Sequence, residues 1–272
     1  MLFFVDKLLK IQIKLYNNKR DLCKYKMEVI IMKNKIEELQ KLINESDNIV
    51  FFGGAGVSTA SGLKDFRSKD GLYSNKNNAL NVTPEFMLSS SCFYSFTKEF
   101  YKYYKENMNA LNVKPNVIHK YLTKLEKSKK LKAIITQNID GLHQKAGSKN
   151  VLELHGTIYK NYCIKCHKEY TAEFVFHNEG IPRCECGGLI KPAVVLYGEM
   201  LPDDFIKAKE YISKCDLLIV AGTSLTVEPA ASLVSHFKGR NLVIINNDKT
   251  QYDGLATLVI NDNLAKVFKE LK

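Results

Sequence analysis

The chain has 272 residues, 45% of them hydrophobic, and a formal net charge of +11 at pH 7. This length and composition can bury a sizeable core, which excludes a disordered chain and predicts two lobes or one domain with insertions. Nine basic and three acidic residues lie in the first 35 positions, so that segment alone carries +6 of the +11. The remaining residues carry a net charge of about +5, which is ordinary for a protein surface, and nucleic-acid binding is not expected.

Residues 1–32 differ in pattern from the rest. The apolar run from Met1 to Val5 is too short for a signal peptide, and charges interrupt each later apolar stretch. We therefore expect a cytoplasmic protein without a membrane span. Four apolar residues recur there at helical spacing, namely Leu8, Ile11, Leu15 and Leu22. They fit a basic amphipathic helix that touches a membrane or a partner, but we favour a solvated extension outside the folded domain.

From Lys35 onward, helical and strand patterns alternate. Short apolar runs rich in β-branched residues predict strands at 49–52, 133–135, 217–220, 242–245 and 258–260. Continuous runs of this kind are typical of strands buried on both faces of a parallel sheet, so the predicted fold class is α/β. Polar residues follow four of these strands, at 53–56, 136–140, 221–224 and 246–248. Because ligands bind beyond the carboxyl ends of such strands, we expect one cleft there.

The first strand end opens a glycine-rich segment, residues 53–67. Glycines let backbone amides approach a pyrophosphate closely. The segment is nevertheless a poor dehydrogenase fingerprint, because Thr59 stands in place of the third glycine and residues 74–83 offer no acidic partner for a ribose. The loop alone fits a tight turn as well as a nucleotide site. The run Asp65-Phe66-Arg67 favours the nucleotide site, since it can enclose a charged aromatic ring and its phosphates.

Four cysteines form two close pairs, Cys163 with Cys166 and Cys184 with Cys186. Thiolates at such spacing suit the tetrahedral geometry of a structural zinc, which leaves no open position for chemistry. Two local disulfides or four unrelated thiols are the alternatives, and disulfides need an oxidising compartment that nothing else in the sequence indicates. The second pair is C-x-C rather than C-x-x-C, so an alternative remains in which His167 or Cys215 replaces one of these cysteines as a zinc ligand.

Together these motifs resemble the sirtuin family of NAD-dependent protein deacylases. The likeness spans about residues 33–272, and the absence of a third glycine is what the family shows. Seven motifs occur in the family's order: Gly54-Ala55-Gly56-Val57-Ser58, Asp65-Phe66-Arg67, residues 136–143 (TQNIDGLH), His155-Gly156, the cysteine pairs, residues 194–199 (VVLYGE) and Gly222-Thr223-Ser224-Leu225.

The resemblance implies a Rossmann-like parallel sheet with an inserted small zinc-binding module and a helical excursion near residues 70–115. The catalytic domain is expected at 33–272, with its Rossmann-like lobe at 33–156 and 192–272 and the zinc module at 157–191. Residues 1–32 are expected to form a basic N-terminal extension. NAD, as co-substrate, would meet an acetylated lysine protein or peptide in the cleft between the lobes, and the four cysteines would hold one structural zinc.

The family motifs also imply individual roles. His155 would deprotonate a ribose hydroxyl, because histidine titrates near neutral pH and this one follows a strand. Asn138 would orient the ribose or the attacking water, and His143 would tie a loop by hydrogen bonds. Val195 and Tyr197 would line the lysine channel. The residues expected to bind NAD are Gly54, Ala55, Gly56, Thr59, Phe66, Arg67, Gln137, Ile139, Asp140, Thr223, Ser224, Asn246, Asp248 and Asp262.

The expected activity is NAD-dependent removal of acetyl or other neutral acyl groups from protein lysine, which gives nicotinamide, O-acetyl-ADP-ribose and the deacetylated protein. A protein ADP-ribosyltransferase and a non-enzymatic zinc-ribbon binding module remain alternatives. Besides the C-x-C spacing, the chain departs from the family at Lys64, where proline is usual, and at Ala193, where an acid is usual. Sirtuins that remove succinyl groups carry Tyr-x-x-Arg, whereas this chain has Tyr104 at the arginine position, which favours neutral acyl groups.

Overall fold

A six-stranded parallel sheet organises the part of the chain that the structure describes. The structure, a computed structural model, describes residues 19–68, 71–74 and 80–272, with side chains from Lys24 onward. Of the predicted apolar face, Leu8, Ile11 and Leu15 lie outside the described residues, and the side chain of Leu22 lies outside the described side chains. The described strands are β1 (Ile49–Gly53), β2 (Leu131–Thr136), β3 (Val151–Glu153), β4 (Gly156–Cys163), β5 (Glu169–Tyr170), β6 (Ile190–Val194), β7 (Leu217–Ala221), β8 (Asn241–Ile245) and β9 (Leu258–Ile260).

The strand order in this sheet is β3-β2-β1-β7-β8-β9, and every neighbouring pair is parallel. All five strands predicted from the apolar runs are present. The chain moves outward in one direction from β1 and in the other from β7, so the order reverses between these two strands. A crevice forms at the carboxyl ends of strands where the order reverses, and this places the expected cleft beside Gly53 and Ala221.

Helices cover both faces of the sheet. Alternate residues of β1 point to opposite sides, so Phe51 belongs to one apolar cluster and Val50 and Phe52 to another. The described helices are α1 (Lys19–Glu45), α2 (Pro84–Met87), α3 (Ser90–Ser95), α4 (Thr97–Met108), α5 (Val117–Lys127), α6 (Leu142–Ala146), α7 (Ala172–His177), α8 (Asp204–Lys214) and α9 (Leu264–Glu270). Helices α1, α5 and α9 pack on the Phe51 side, and α8 packs on the other.

A second, smaller sheet forms where the cysteine pairs occur. Strands β5, β4 and β6 pair antiparallel in that order, with α7 packed against β4. Helices α2 to α4 lie in the predicted helical excursion and share a third apolar cluster with this sheet. The aromatic side chains of α4 pack inside that cluster, so the small lobe and the helical excursion are held together by one core.

Helix α1 crosses the expected boundary between residues 32 and 33 without a break. Its carboxyl-terminal half packs on the domain through Leu39 and Ile43, and Ile36 and Met32 extend this contact toward the amino terminus. A continuous helical period through these four residues explains why the helix does not stop at the boundary. No helix of the described residues is long and apolar enough to cross a membrane.

Candidate active site

A single cleft at the carboxyl edge of the large sheet collects most of the predicted site residues. They come from the loops that follow β1, β2, β3, β7 and β8, which are distant in sequence but end at the same edge. The predicted residues that line the cleft are Ala55, Gly56, Thr59, Phe66, Arg67, Gln137, Asn138, Ile139, Asp140, His155, Val195, Tyr197, Thr223, Ser224, Asn246 and Asp248.

Two glycine loops meet backbone to backbone at the floor of this cleft. The Gly56 amide donates a hydrogen bond to the Gly222 carbonyl oxygen at 2.9 Å. A Cβ atom on Gly56 would lie 2.7 Å from Gly222 Cα, and one on Gly54 would lie 2.8 Å from the Gly222 oxygen. Both positions therefore need glycine for the close approach. Gly54 lies behind the lining, where it sets the position of its neighbour Ala55.

Thr59 stands where a dinucleotide fingerprint would have its third glycine. Its hydroxyl donates to the Gly56 carbonyl oxygen at 3.0 Å and so closes the turn that follows the loop. The segment beyond consists of two short 3₁₀ turns, Ala55–Val57 and Thr59–Ser61, instead of one long helix packed closely on the strand. No glycine is needed for helix packing at this position, which explains the incomplete fingerprint.

Only the oxygen of the Gln137 side-chain amide has a hydrogen-bond partner among the described residues. The Thr223 hydroxyl donates to Gln137 Oε1 at 2.9 Å. The Gln137 Nε2 atom is buried and has no hydrogen-bond partner among the described residues. Leaving a buried donor unpaired costs about 1–3 kcal/mol. A ligand with hydroxyl oxygens, such as a ribose, would accept from this amide and remove that cost.

Phe66 and Arg67 are organised by a neighbouring aromatic ring. The Arg67 guanidinium lies 5.3 Å from the centre of the Tyr73 ring, and the Phe66 ring centre lies 6.2 Å from the same ring. Asp65 caps this turn, because its carboxylate accepts from the Arg67 and Ser68 amides. The turn presents a cation and an aromatic ring at the cleft, which suits a phosphate and a planar base.

His155 follows β3 and is held by the backbone of the β2 loop. Its Nδ1 atom lies 2.9 Å from the Gln137 carbonyl oxygen. A carbonyl can only accept, so Nδ1 carries the hydrogen and Nε2 carries the lone pair. Burial lowers the pKa of His155, and the hydrogen bond to Gln137 offsets part of this shift. The imidazole is therefore neutral at pH 7 and can accept a proton at Nε2.

A hydrogen-bonded chain fixes Asn138 and Asp140. The Ser58 hydroxyl donates to Asp140 Oδ2 at 2.6 Å and accepts from Asn138 Nδ2 at 3.1 Å. Burial raises the pKa of Asp140, while the hydrogen bonds from Ser58 and the Leu142 amide lower it. Ser58 was not among the predicted site residues, although it ends the first family motif. Its role becomes visible only when the β1 and β2 loops are brought together.

The segment that carries Val195 and Tyr197 is tied to both lobes. The Val195 amide donates to the His155 carbonyl oxygen at 2.9 Å, and the Tyr197 amide donates to the Leu88 carbonyl oxygen at 3.0 Å. Lys191 contacts residues on both sides of this segment: its Nζ lies 3.1 Å from Glu199 Oε2 and donates to the Val194 oxygen at 3.1 Å. The two predicted channel residues are thus held in the same cleft lining as His155.

Besides the direct role of Gly54, two predicted details are not found. Asp262 does not line the cleft; its carboxylate pairs with Lys266 at 2.7 Å, and the next residue, Asn263, lies in the wall instead. The prediction that His143 ties a loop by hydrogen bonds is wrong for the described residues, since neither ring nitrogen has a partner among them. The His143 ring packs against His119, with 4.7 Å between ring centres.

The four cysteines of the small sheet converge. Their Sγ atoms all lie within 4.8 Å of one another. A tetrahedral zinc with Zn–S bonds of about 2.3 Å separates its sulfurs by about 3.8 Å, so the cluster fits a structural zinc. None of the six cysteines with described side chains forms a disulfide. Cys215 donates to the Ile212 oxygen, and neither it nor His167 belongs to the cluster.

The unusual C-x-C pair is accommodated by two glycines that follow it. Gly187 has φ of +81°, and its amide donates to the Cys184 oxygen at 2.8 Å. A Cβ atom on Gly188 would lie 2.5 Å from Cys163 Sγ. The tight turn brings Cys184 and Cys186 to one side, so the short spacing still supplies two ligands.

Comparison with known proteins agrees with this geometry. A model of the Sir2 family matches residues 54–229. An NAD-dependent protein deacetylase of Clostridium perfringens is 54% identical over 239 residues, which are 87% of this chain and 98% of that protein. One of Fusobacterium nucleatum is 50% identical over 243 residues, 88% of this chain and 93% of that protein.

Solved structures give the same result. A Sir2 structure with a p53 peptide and NAD+ matches with a TM-score of 0.76 and 40% identity, over 86% of this chain and 95% of that chain. A Sir2 complex with a deacetylated p53 peptide and 3'-O-acetyl ADP ribose matches with a TM-score of 0.79 and 40% identity, over 86% of this chain and 96% of that chain. The chain belongs to the Sir2 family.

Proposed function

We propose that this protein is an NAD-dependent deacetylase that removes acetyl groups from protein lysine and gives nicotinamide, O-acetyl-ADP-ribose and the deacetylated protein. The observation that carries the proposal is the placement of His155, whose Nδ1 is fixed on Gln137 while its ring lines the cleft beside Val195. The deacetylase names of the relatives support the same activity.

NAD fits the polar wall of the cleft. We assign the phosphates to Thr223, Ser224, Arg67 and the loop that carries Ala55, Gly56 and Thr59. The open Gln137 amide supports the assignment of a ribose to that residue. Ile139, Asp140 and Phe66 would border the nicotinamide end, and Asn246 and Asp248 the adenosine end. When bound, NAD supplies a ribose carbon made electrophilic by its nicotinamide leaving group.

The protein's own contribution is to place groups and to move one proton. Val195 and Tyr197 hold the acyl-lysine in the channel beside His155. Neutral His155 accepts a proton at Nε2 from a ribose hydroxyl, and burial favours this neutral form. Asn138, oriented by Ser58, keeps its amide toward the reacting ribose. The zinc has four protein ligands and so stabilises the small lobe without taking part in the reaction.

The acyl end of the cleft favours neutral groups. Tyr104 is fully buried and lines the cleft, stacked between the rings of Phe100 and Phe176. Lys105 is turned away, because its Nζ donates to the Asn178 and Gly180 carbonyl oxygens at 2.6 and 2.7 Å. Lys102 is exposed and is not among the described residues of the lining. Neither lysine of this helix is therefore placed to pair with an acyl carboxylate, and the cations among the described lining residues, Lys64 and Arg67, come from the loop after β1, where we assign Arg67 to the phosphates.

A cytoplasmic location belongs to the same proposal. Four cysteines that hold zinc as thiolates suit a reducing compartment, because an oxidising one favours disulfides between such close pairs. Fractionation of the native host, with immunodetection of the protein, tests it. Recovery outside the cytoplasmic membrane would contradict the proposal.

Product analysis tests the activity. The protein is mixed with NAD and an acetyl-lysine peptide, and the products are identified by mass spectrometry. We expect nicotinamide and O-acetyl-ADP-ribose in equal amounts with the deacetylated peptide. A protein ADP-ribosyltransferase would release nicotinamide without an acyl peptide and would increase the mass of a protein instead. A zinc-ribbon binding module would leave NAD intact.

A further inference from the structure

An exposed apolar stripe lies near the amino-terminal end of α1. Met27, Ile30 and Ile31 are 55%, 58% and 50% exposed and stand at the i, i+3, i+4 spacing of one helix face. Residues of an α-helix are about 100° apart, so Ile36 and Ile43 lie about half a turn away from Met27. Those two residues pack on the domain. The stripe of Met27, Ile30 and Ile31 therefore faces away from it.

Lysines border the stripe on both sides. By the same helical geometry Lys24 lies on one side, and Lys26 and Lys33 lie on the other. All three are exposed, and Lys33 also pairs with the exposed Glu37 at 3.8 Å. Long lysine side chains cover apolar surface with their methylene groups while the ammonium stays in water. The described side chains of residues 24–35 include four lysines and one glutamate, so the surface around the stripe is positive as well as apolar.

We propose that this stripe docks on an anionic lipid bilayer, with α1 lying in the interface. The three apolar side chains would enter the boundary between headgroups and acyl chains, and the bordering lysines would meet anionic headgroups. An exposed apolar strip flanked by lysines is the pattern of helices that lie on membranes. The absence of a spanning helix among the described residues agrees with a surface contact.

A second copy of the chain is a poorer occupant. Pairing two stripes would bring the bordering lysines of both copies together, and like charges in contact are unfavourable. The stripe also ends within three helical turns, because Asn34 and Glu38 continue the same face. A coiled-coil seam needs at least about three heptads of apolar positions.

Vesicle sedimentation tests the proposal with the full chain. The vesicles contain phosphatidylcholine alone, or equal parts of phosphatidylcholine and phosphatidylglycerol, at low and high salt. We expect binding to the anionic vesicles only, weakened by salt. The variant Met27→Gln/Ile30→Gln/Ile31→Gln should bind about tenfold or more weakly. Ile206→Gln, at an isoleucine of α8 that is 62% exposed, is the matched control and should bind as the parent does.

Deacetylation of a soluble peptide should be unchanged in all variants, since no residue of α1 lines the cleft. This readout also separates the proposal from the enzymatic function. Equal binding to neutral vesicles would overturn the proposal, as would full binding by the triple variant. A concentration-dependent dimer in sedimentation velocity that the triple variant abolishes would identify a second copy as the occupant instead.

Discussion

The Nδ1 atom of His155 lies 2.9 Å from the carbonyl oxygen of Gln137. The same residue, Gln137, presents a buried amide nitrogen with no partner among the described residues. One residue at the end of β2 therefore fixes the tautomer of the proposed base through its backbone and offers a ligand contact through its side chain. Gln137 therefore positions both the proposed base and the proposed ribose site.

We predict that His155→Ala and His155→Tyr lose deacetylation while remaining folded and keeping zinc. Removal of a general base costs about 10²–10⁴-fold in rate. The change should appear in kcat, measured with saturating NAD and acetyl peptide. His177→Ala is the matched control, because His177 is exposed and is not among the described residues of the cleft wall. Turnover close to that of the parent in either His155 variant would exclude it as the base.

The buried pair His119 and His143 should make the fold sensitive to acid. Burial lowers the pKa of His119 to about 4 and, with the neighbouring His119 charge, that of His143 to about 3. In the unfolded chain both return to about 6.5, so below this pH the unfolded state binds more protons. The free energy of unfolding should fall by about 1.4 kcal/mol per pH unit for each histidine between pH 6 and pH 4.

Urea unfolding at several pH values measures this dependence. His143→Gln should show a smaller slope than the parent, since one titrating group is removed. His236→Gln serves as the control because His236 lies away from the His119–His143 pair, in the 3₁₀ segment Ala230–His236. A slope that is the same in the parent and in His143→Gln would contradict the assignment of a buried neutral ring.

The structural elements differ in how far they could be predicted from sequence. The strands of the large sheet could be predicted, because an apolar run such as 217–220 indicates a buried strand from the local sequence alone. Ser58 was not, since its partners Asp140 and Asn138 lie about 80 positions away and meet it only in the fold. The prediction that Asp262 lines the cleft misses by one residue. At the start of α9 it is Asn263 that lines the cleft, while Asp262 pairs with Lys266.

Zinc removal should unfold the small lobe. Cys163→Ser and Cys184→Ser are expected to lose the metal, because a structural zinc contributes directly to folding energy. The parent should contain about one zinc per chain by elemental analysis. Cys215→Ser is the matched control: Cys215 is outside the cluster, and a serine hydroxyl can keep the bond to the Ile212 oxygen. A cluster variant that is stable, active and free of metal would refute the structural role.

The Lys191–Glu199 pair should set the affinity for peptide. Lys191 is 5% exposed and joins Glu199 to the oxygen of Val194, next to the segment proposed to hold the substrate. Removing Lys191 leaves the Glu199 carboxylate, which is 27% exposed, without its counter-charge, and this costs less than the value of about 3–5 kcal/mol for a fully buried pair. Lys191→Met should raise the peptide KM more than it lowers kcat. Restoration of the parent's KM by Lys191→Arg would support positioning, and an unchanged KM in Lys191→Met would exclude it.

Acyl selectivity follows from the wall around Tyr104. A succinyl carboxylate entering this end of the cleft would meet the ring of Tyr104 and not a guanidinium, since Lys105 is bound to the Asn178 and Gly180 oxygens. The hydroxyl of Tyr101 is likewise occupied, because it donates to the Ile190 oxygen. An unpaired buried carboxylate costs about 3–5 kcal/mol, which outweighs the gain of about 0.8 kcal/mol from each added methylene.

We therefore predict that kcat/KM for an acetyl-lysine peptide exceeds that for the succinyl version of the same peptide by about 100-fold or more. A butyryl-lysine peptide is the matched control, because it is as long as succinyl up to the terminal group but has no charge. Good turnover of butyryl with poor turnover of succinyl would assign the discrimination to charge. Poor turnover of both would assign it to length, and a succinyl value equal to that for acetyl would mean that a cation of the cleft, such as Lys64 or Arg67, reaches the acyl carboxylate.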